Sequence, residues 1–290
     1  MHRSTRRDFL KTSLALPVLA GAQTEKRFAT DWVTLGNSGV KVTRLAFGTG
    51  THSGRVQREL GQEGFTRLVR HAYDRGLRFF ETAESYPGMP EMLGVALKGI
   101  PRDSYRLMHK YTTPRPTYEA KTTIDQFRKQ LNTDYFDILL LHCMRKADWP
   151  EEFAKPADDF SEAKQKKIIL AHGASVHGLA PLRRFPGNQW LDIAMIRMNH
   201  AGSHMDTEPG DNGPGKVDEV VANMKKVHAQ GAGTISMKLV GEGSFTDRED
   251  RRKALKFAMG IGCVDCVTIG FKSTGEIDEA IENLNAGLNA

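Results

Sequence analysis

The chain has 290 residues, 39% of them hydrophobic and 26% charged, a composition that supports a sizeable core and excludes a disordered chain. Its formal charge is +6, of which residues 1–22 hold +3, so the remainder carries too slight an excess to call for nucleic acid. Three cysteines (143, 263 and 266) are too few for a disulfide-built fold, and the apolar runs are too short to span a bilayer after processing.

The first 22 residues read as an address. Thr5-Arg6-Arg7-Asp8-Phe9-Leu10-Lys11 resembles the twin-arginine export signal. The apolar stretch Ser13–Ala20 follows, and Ala20-Gly21-Ala22 has the small-x-small form preferred by signal peptidase. The resemblance implies the twin-arginine export machinery as a partner and a periplasmic or exported location.

Residues 31–288 are expected to form the working domain. Trp32–Leu35 and Val40–Val42 flank Gly36-Asn37-Ser38-Gly39, which predicts an N-terminal β-hairpin. Eight strand-like segments follow: 44–48, 78–82, 106–110, 136–141, 168–174, 192–198, 233–239 and 263–270. Most are short and apolar, as expected of strands buried on both faces. Amphipathic stripes lie between them: Phe65, Leu68, Val69, Ala72 and Tyr73; Ala120, Ile124, Phe127 and Leu131; Val217, Val220, Val221, Met224 and Val227; Ile277, Ala280, Ile281 and Leu284. Gly76, Gly99 and Gly231 stand where helices should end. Eight such units in about 250 residues predict a (β/α)8 TIM barrel. A doubly wound open sheet is the rival, weakened by the lack of G-x-G-x-x-G after the first strand. The one long irregular stretch, His200–Gly215, follows the sixth of these strands and should border the site.

Barrel chemistry sits at the C-terminal ends of the strands. Those ends carry Glu81, Lys110, His142, Ser175, Asn199, Lys238 and Lys272, with Tyr86 in the loop after the second. A carboxylate, a lysine, a tyrosine and a histidine meeting at one point suit proton transfer to a carbonyl oxygen. An ammonium beside the phenol is expected to draw it down from its ordinary value near 10, making it a competent general acid.

These residues also resemble a family. Phe79-Phe80-Glu81-Thr82-Ala83-Glu84-Ser85-Tyr86 resembles the aldo-keto reductase segment F-F-D-T-A-x-x-Y. Glu91–Lys98 is similar to its E-x-x-L-G-x-A-L-K helix, and His109-Lys110-Tyr111 to the strand ending in its lysine. Asp134–His142 resembles D-Y-I-D-L-x-L-I-H, and Ile269-Gly270-Phe271-Lys272-Ser273 resembles the cofactor-phosphate loop I-P-G-x-x-S. The resemblance runs from about Val33 to Asn285, with the motifs in order.

It implies reduction of an aldehyde or ketone with NADP(H), NAD(H) not being excluded. Tyr86 would be the acid, Lys110 its partner, Glu81 the counter-ion of the lysine and His142 the orienting group. The cofactor would lie on Gly48, Thr49, Ser175, Asn199, Met237, Gly241, Gly243, Lys272 and Ser273, with His52 and His200 lining the pocket of a small-molecule carbonyl substrate. A monomer is the family-level expectation.

Four positions depart from the family pattern. Glu81 replaces aspartate, one methylene longer; Val176 and Met195 replace the asparagine and glutamine that clamp the carboxamide; Met237 replaces a stacking aromatic ring. The arginine that often reads the 2′-phosphate is missing, and Glu276 lies nearby.

Other features read as structural. Cys263-Val264-Asp265-Cys266 falls in an expected strand, where i and i+3 point to opposite faces, against redox or metal use. Cys143 is expected to be packing. His200, His204 and Asp206 have ligand-like spacing, but in a Gly-rich loop they favour a solvated or substrate-facing role over metal. Arg251-Arg252-Lys253 reads as a solvated helix face. The alternative function is a nucleotide-binding barrel that senses or binds partners and turns over little.

Overall fold

The computed structural model describes residues 25–112 and 119–290; the expected export signal at residues 1–22 lies outside them. A short antiparallel hairpin of β1 (Trp32–Thr34) and β2 (Lys41–Thr43) comes first, with the Gly36–Gly39 turn between them. The remaining strands are β3 (Leu45–Gly48), β4 (Phe79–Glu81), β5 (Arg106–Tyr111), β6 (Phe136–Met144), β7 (Ile169–Val176), β8 (Ile193–Arg197), β9 (Gly233–Met237) and β10 (Cys266–Gly270). All eight pair in parallel, and β10 closes onto β3, giving a closed barrel. The open-sheet rival is excluded.

The helices are α1 (Arg55–Arg58), α2 (Gly61–Asp74), α3 (Met89–Leu97), α4 (Ala120–Leu131), α5 (Trp149–Glu152), α6 (Ala154–Gln165), α7 (Leu179–Leu182), α8 (Val217–Ala229), α9 (Arg248–Gly260) and α10 (Thr274–Leu288). Their buried stripes follow the sequence pattern: Phe65, Leu68, Val69 and Ala72 on α2, and Ile277, Ala280, Ile281 and Leu284 on α10. Gly76 and Gly231 end α2 and α8 with φ of 96° and 97°, where a side chain would be strained.

Strands buried on both faces still alternate, because successive side chains point into the lumen and out to the helices. One apolar cluster fills the lumen and includes Ala46, Phe79, Met108, Ile138, Leu140, Ala171, Ile193, Met195, Ile235, Met237 and Cys266. Leu35, Val40 and Val42 of the hairpin join it and plug the base of the barrel. The second cluster lies between strands and helices and includes Phe47, Phe80, Leu107, Leu139, Leu141, Ala174, Val176 and Ile196. Where β7 meets β8 a glycine is needed, since a Cβ at Gly173 would collide with the Ile193 carbonyl.

Carboxylates near the strand starts tie the base together. Asp137, 1% exposed, accepts from Leu107 N (2.9 Å) and Arg102 Nη2 (2.7 Å). Asp192 accepts from His172 N (3.0 Å), and Asp265 from Thr234 N (2.8 Å). The base is thereby fixed by charge-assisted bonds, leaving the opposite end to loops.

Two expectations change. The last strand begins at Cys266, so Cys263 precedes it. Both thiols are free, and burial holds Cys263 up to about 11 and raises Cys266 well above the ordinary range, so neither forms a thiolate near neutral pH. Arg251 is not on a solvated face: it forms a two-point ion pair across to Glu279 of α10.

Candidate active site

The alternation that sends Phe79, Met108 and Ile138 into the lumen also sends Glu81 and Lys110 inward, one step nearer the C-terminal mouth. Lys110 is 1% and Glu81 4% exposed. Lys110 Nζ donates to Glu81 Oε2 and to the Thr82 carbonyl at 3.0 Å, while Glu81 Oε1 accepts from Thr268 Oγ1 at 3.3 Å. An unpaired charge here would be costly to bury, and these contacts engage both ions.

Tyr86 stands half-buried above the pair, its ring centroid 5.2 Å from Lys110 Nζ. Its hydroxyl lies 3.4 Å from His142 Nε2, with the two rings edge to face at 86°. The other nitrogen of His142 is within hydrogen-bonding reach of Ser85 Oγ (3.1 Å) and Thr112 Oγ1 (3.2 Å). The structure thus brings Glu81, Lys110, Tyr86 and His142 together.

The expected lowering of the Tyr86 phenol is not found. Burial, and then the Glu81 carboxylate, push it well above 10. Lys110 is paired with Glu81, and its Nζ lies 5.2 Å from the centroid of the Tyr86 ring. Burial lowers Lys110 itself, against the opposing charge of Glu81. His142 is held well below 6.5 by burial and then by the charge of Lys110, so its ring is neutral. This arrangement offers a protonated phenol backed by a neutral imidazole.

Two connected hollows open beside Tyr86. The smaller is lined by Gly50, Glu81, Tyr86, Met195, Met237 and Lys238 among others. The larger, about 490 Å3, lies between the loops after β3, β9 and β10 and the first turns of α10; Thr51, Val240, Glu242, Ile269 and Gly270 border both. A volume of this size suits a cofactor. Gly50 borders the smaller hollow and leaves room for the phenol, since a Cβ there would lie 2.6 Å from the Tyr86 hydroxyl oxygen.

The residues present fit a dinucleotide. Thr49 Oγ1 is buried without a partner, and Gly243 borders the larger hollow with open space where a side chain would begin. Ser175 points inward and its Oγ accepts from Cys143 N at 2.7 Å, leaving its own hydrogen to donate. Met237, 8% exposed, and Met195 offer apolar cover in the smaller hollow. Gly48 closes β3 beside Glu81. Ser273 caps α10 by accepting from Glu276 N (3.3 Å), and Lys272 next to it is exposed. Gly241 and Gly243 form a tight turn on the rim.

Other sequence expectations are placed differently. Asn199 is occupied by its own loop and by the segment after β9: its Nδ2 donates to the carbonyls of Ser203 and Lys238, and its Oδ1 accepts from the amides of Ala201 and Ser203. Val176 points out to the helices, so its side chain does not face the hollow. His52 lines the larger hollow, away from His142, and its amide donates to Glu242 Oε1 at 3.3 Å. His200 packs on Phe245, with centroids 5.3 Å apart. His200, His204 and Asp206 diverge, for Asp206 accepts from Arg197 Nε (2.8 Å) and Gly178 N (2.7 Å). Among the described residues no cluster of three or more metal-ligating side chains is assembled.

Sequence reasoning missed Gly48 as a steric partner of Glu81, and Gly50, Ser85, Thr112 and Thr268 as site residues. Thr268 could have been found by counting inward positions along β10; Ser85 stands inside a quoted motif, next to Tyr86.

A closed parallel barrel with a buried lysine–carboxylate pair beneath a tyrosine at its mouth defines a (β/α)8 protein equipped for proton transfer next to a cofactor-sized groove. Residues 44–259 match the Aldo/keto reductase family, and the chain belongs to that family. L-galactose dehydrogenase of Arabidopsis thaliana is 32% identical over 118 residues, covering 38% of this chain and 36% of that protein. The chain therefore spans about a third of that curated relative. The holo form of an aldo-keto reductase from Bacillus halodurans has the same fold, with a TM-score of 0.69 at 17% identity over 89% of this chain and 95% of that one. An aldo-keto reductase from Klebsiella pneumoniae, solved in complex with NADPH, superposes with a TM-score of 0.63 at 16% identity, covering 92% and 90%. Among the described residues no helix is long and apolar enough to cross a membrane.

Proposed function

We propose that this protein is an NAD(P)H-dependent reductase of an aldehyde or ketone, with Tyr86 as the general acid. The observation that carries the reading is the convergence of Glu81, Lys110, Tyr86 and His142 beside the two connected hollows. The cofactor, when bound, supplies a hydride to the carbonyl carbon. Tyr86 gives its proton to the carbonyl oxygen, so hydride and proton together make the alcohol. Burial keeps the phenol protonated until that moment. The ammonium of Lys110 then lies close enough to steady the developing phenolate. Glu81 holds Lys110 in place, and the neutral ring of His142 orients the carbonyl through the nitrogen that faces Tyr86.

Tyr86→Phe tests this. Carbonyl reduction across an aldehyde panel should fall by about 100-fold or more while dinucleotide affinity stays within a few-fold. Retained reduction would refute the assignment. A chain that binds a dinucleotide but reduces nothing even as wild type would support the sensing or partner-binding alternative, which the engaged Asn199 favours.

The Arg6-Arg7 segment supports export by the twin-arginine route, with residues 31–288 as the exported unit. Replacing both arginines by lysine should leave the protein in the cytoplasm on fractionation. A monomer is the expected state by light scattering.

A further inference from the structure

We infer that the larger hollow takes NAD(H) in preference to NADP(H), and that Glu276 makes the distinction. This rests on the proposed dinucleotide-binding reading and goes one step further.

The charged side chains around the hollow are already matched. Arg251 Nε and Nη2 donate to Glu279 at 2.6 and 3.0 Å, and its Nη1 donates to the carbonyls of Phe245 (3.0 Å) and Thr246 (2.8 Å). Glu242 pairs with Lys238 Nζ at 2.6 Å. Burial alone would lift the Glu242 carboxyl, but the bond and charge of Lys238 hold it below its ordinary value. Lys272, the cation that the sequence offers to a phosphate, has Nζ 3.8 Å from Glu276 Oε1, and its amide donates to Glu276 Oε2 at 2.8 Å. Three carboxylates thus face three cations, with no positive charge left over among these groups.

A 2′-phosphate brings close to two negative charges at neutral pH and needs free cations. To use Lys272 it would have to part it from Glu276 and then sit beside that carboxylate. A ribose 2′-hydroxyl makes no such demand and can donate to a carboxylate, the usual way an acidic side chain selects the dephosphorylated cofactor. The pyrophosphate is common to both cofactors and does not separate them.

Glu276 also has a structural task, since its carboxylate accepts the Lys272 amide near the start of α10. Glu276→Gln separates the two roles: it keeps an acceptor for that amide and removes only the charge.

The test is direct titration of the full chain with NADH and with NADPH, followed by nucleotide fluorescence, for the wild type and for Glu276→Gln. The wild type should bind NADH more tightly, by on the order of tenfold. The variant should gain several-fold in NADPH affinity and lose modestly in NADH affinity, because its neutral amide is a weaker acceptor for the 2′-hydroxyl, so the NADH-to-NADPH ratio falls. In the wild type, the gap should narrow as salt rises from low to about 0.5 M, because the repulsion is partly exposed to solvent. Equal or tighter NADPH binding by the wild type would overturn the inference and leave the reductase reading standing. An unchanged NADH-to-NADPH ratio in Glu276→Gln would overturn the role of Glu276. Binding of neither nucleotide would remove the reductase reading and this inference with it.

Discussion

Gly48 and Glu81 are cross-strand partners on β3 and β4, and a Cβ on Gly48 would lie 2.8 Å from Glu81 Oε1. The bare glycine therefore makes room for the glutamate, whose arm is one methylene longer than the aspartate common in the family. Gly48→Ala should push the carboxylate aside and with it Lys110. A displacement of about 1 Å can cost on the order of 100-fold in rate. The turnover of carbonyl reduction should fall at least tenfold, with an unchanged far-ultraviolet circular dichroism spectrum showing that the barrel persists. Full activity in that variant would show that Glu81 has slack.

The buried pair should also carry stability. Glu81→Leu leaves the Lys110 ammonium unmatched in the lumen, which should cost about 3–5 kcal/mol in urea unfolding. The double change Glu81→Leu/Lys110→Met removes both charges and should recover most of that loss. Activity should be lost in both. If the single and double variants unfold alike, the two groups are not coupled.

The pH profile of reduction follows from the site. An acid must start protonated, and Tyr86 is raised well above 10 by burial and then by Glu81. The rate at saturating aldehyde should therefore show no basic limb from this group up to about pH 10. His142, held well below 6.5 by burial and the charge of Lys110, should contribute no limb between pH 6 and 8. An activity loss centred near pH 8 that disappears in Tyr86→Phe residual activity, or in Glu81→Gln, would contradict this.

His109 is a second, structural source of pH dependence. It points outward on β5 into the aromatic layer, 4.2 Å from the Phe127 ring and stacked on Phe136, and neither ring nitrogen has a partner. Burial, helped by Lys110, lowers it from 6.5 to about 3. The unfolded chain then takes up a proton that the folded chain refuses. The stability tied to this neutral ring is present in full above pH 6.5. It drains away as pH falls toward 3, by about 1.4 kcal/mol per pH unit. His109→Phe should flatten that slope in thermal melts taken between pH 7 and 4, and should raise the melting temperature at pH 5.

The barrel was legible because its strands are short, apolar and punctuated by helical stripes ending at Gly76 and Gly231. The four residues at the mouth were legible because strand ends carry polar side chains in a barrel and the local motifs around Glu81 and His142 are contiguous. What escaped was set by contacts between distant segments. Nothing near Glu81 in the chain says that Gly48 yields to it. Nothing in the composition of the His200–Gly215 loop says that Asn199 is held by its own turn and by the Lys238 carbonyl after β9. The side to which Val176 points is decided by a parity count along β7, and one position of error reverses it. The direction of the Tyr86 shift was missed for a similar reason: motif reading placed the ammonium near the phenol but could not weigh burial and Glu81 against it.

The ends of the described chain meet at the foot of the last helix. The Arg27 amide donates to Asn289 Oδ1 at 2.9 Å, Asn289 Nδ2 returns a bond to the Arg27 carbonyl at 2.7 Å, and Ala29 N donates to Asn285 Oδ1 at 2.7 Å. A short flexible linker could join residue 25 to residue 290, and new termini cut into the exposed Lys98–Pro101 corner would give a circular permutant whose pocket is assembled from the same loops in a different order of synthesis.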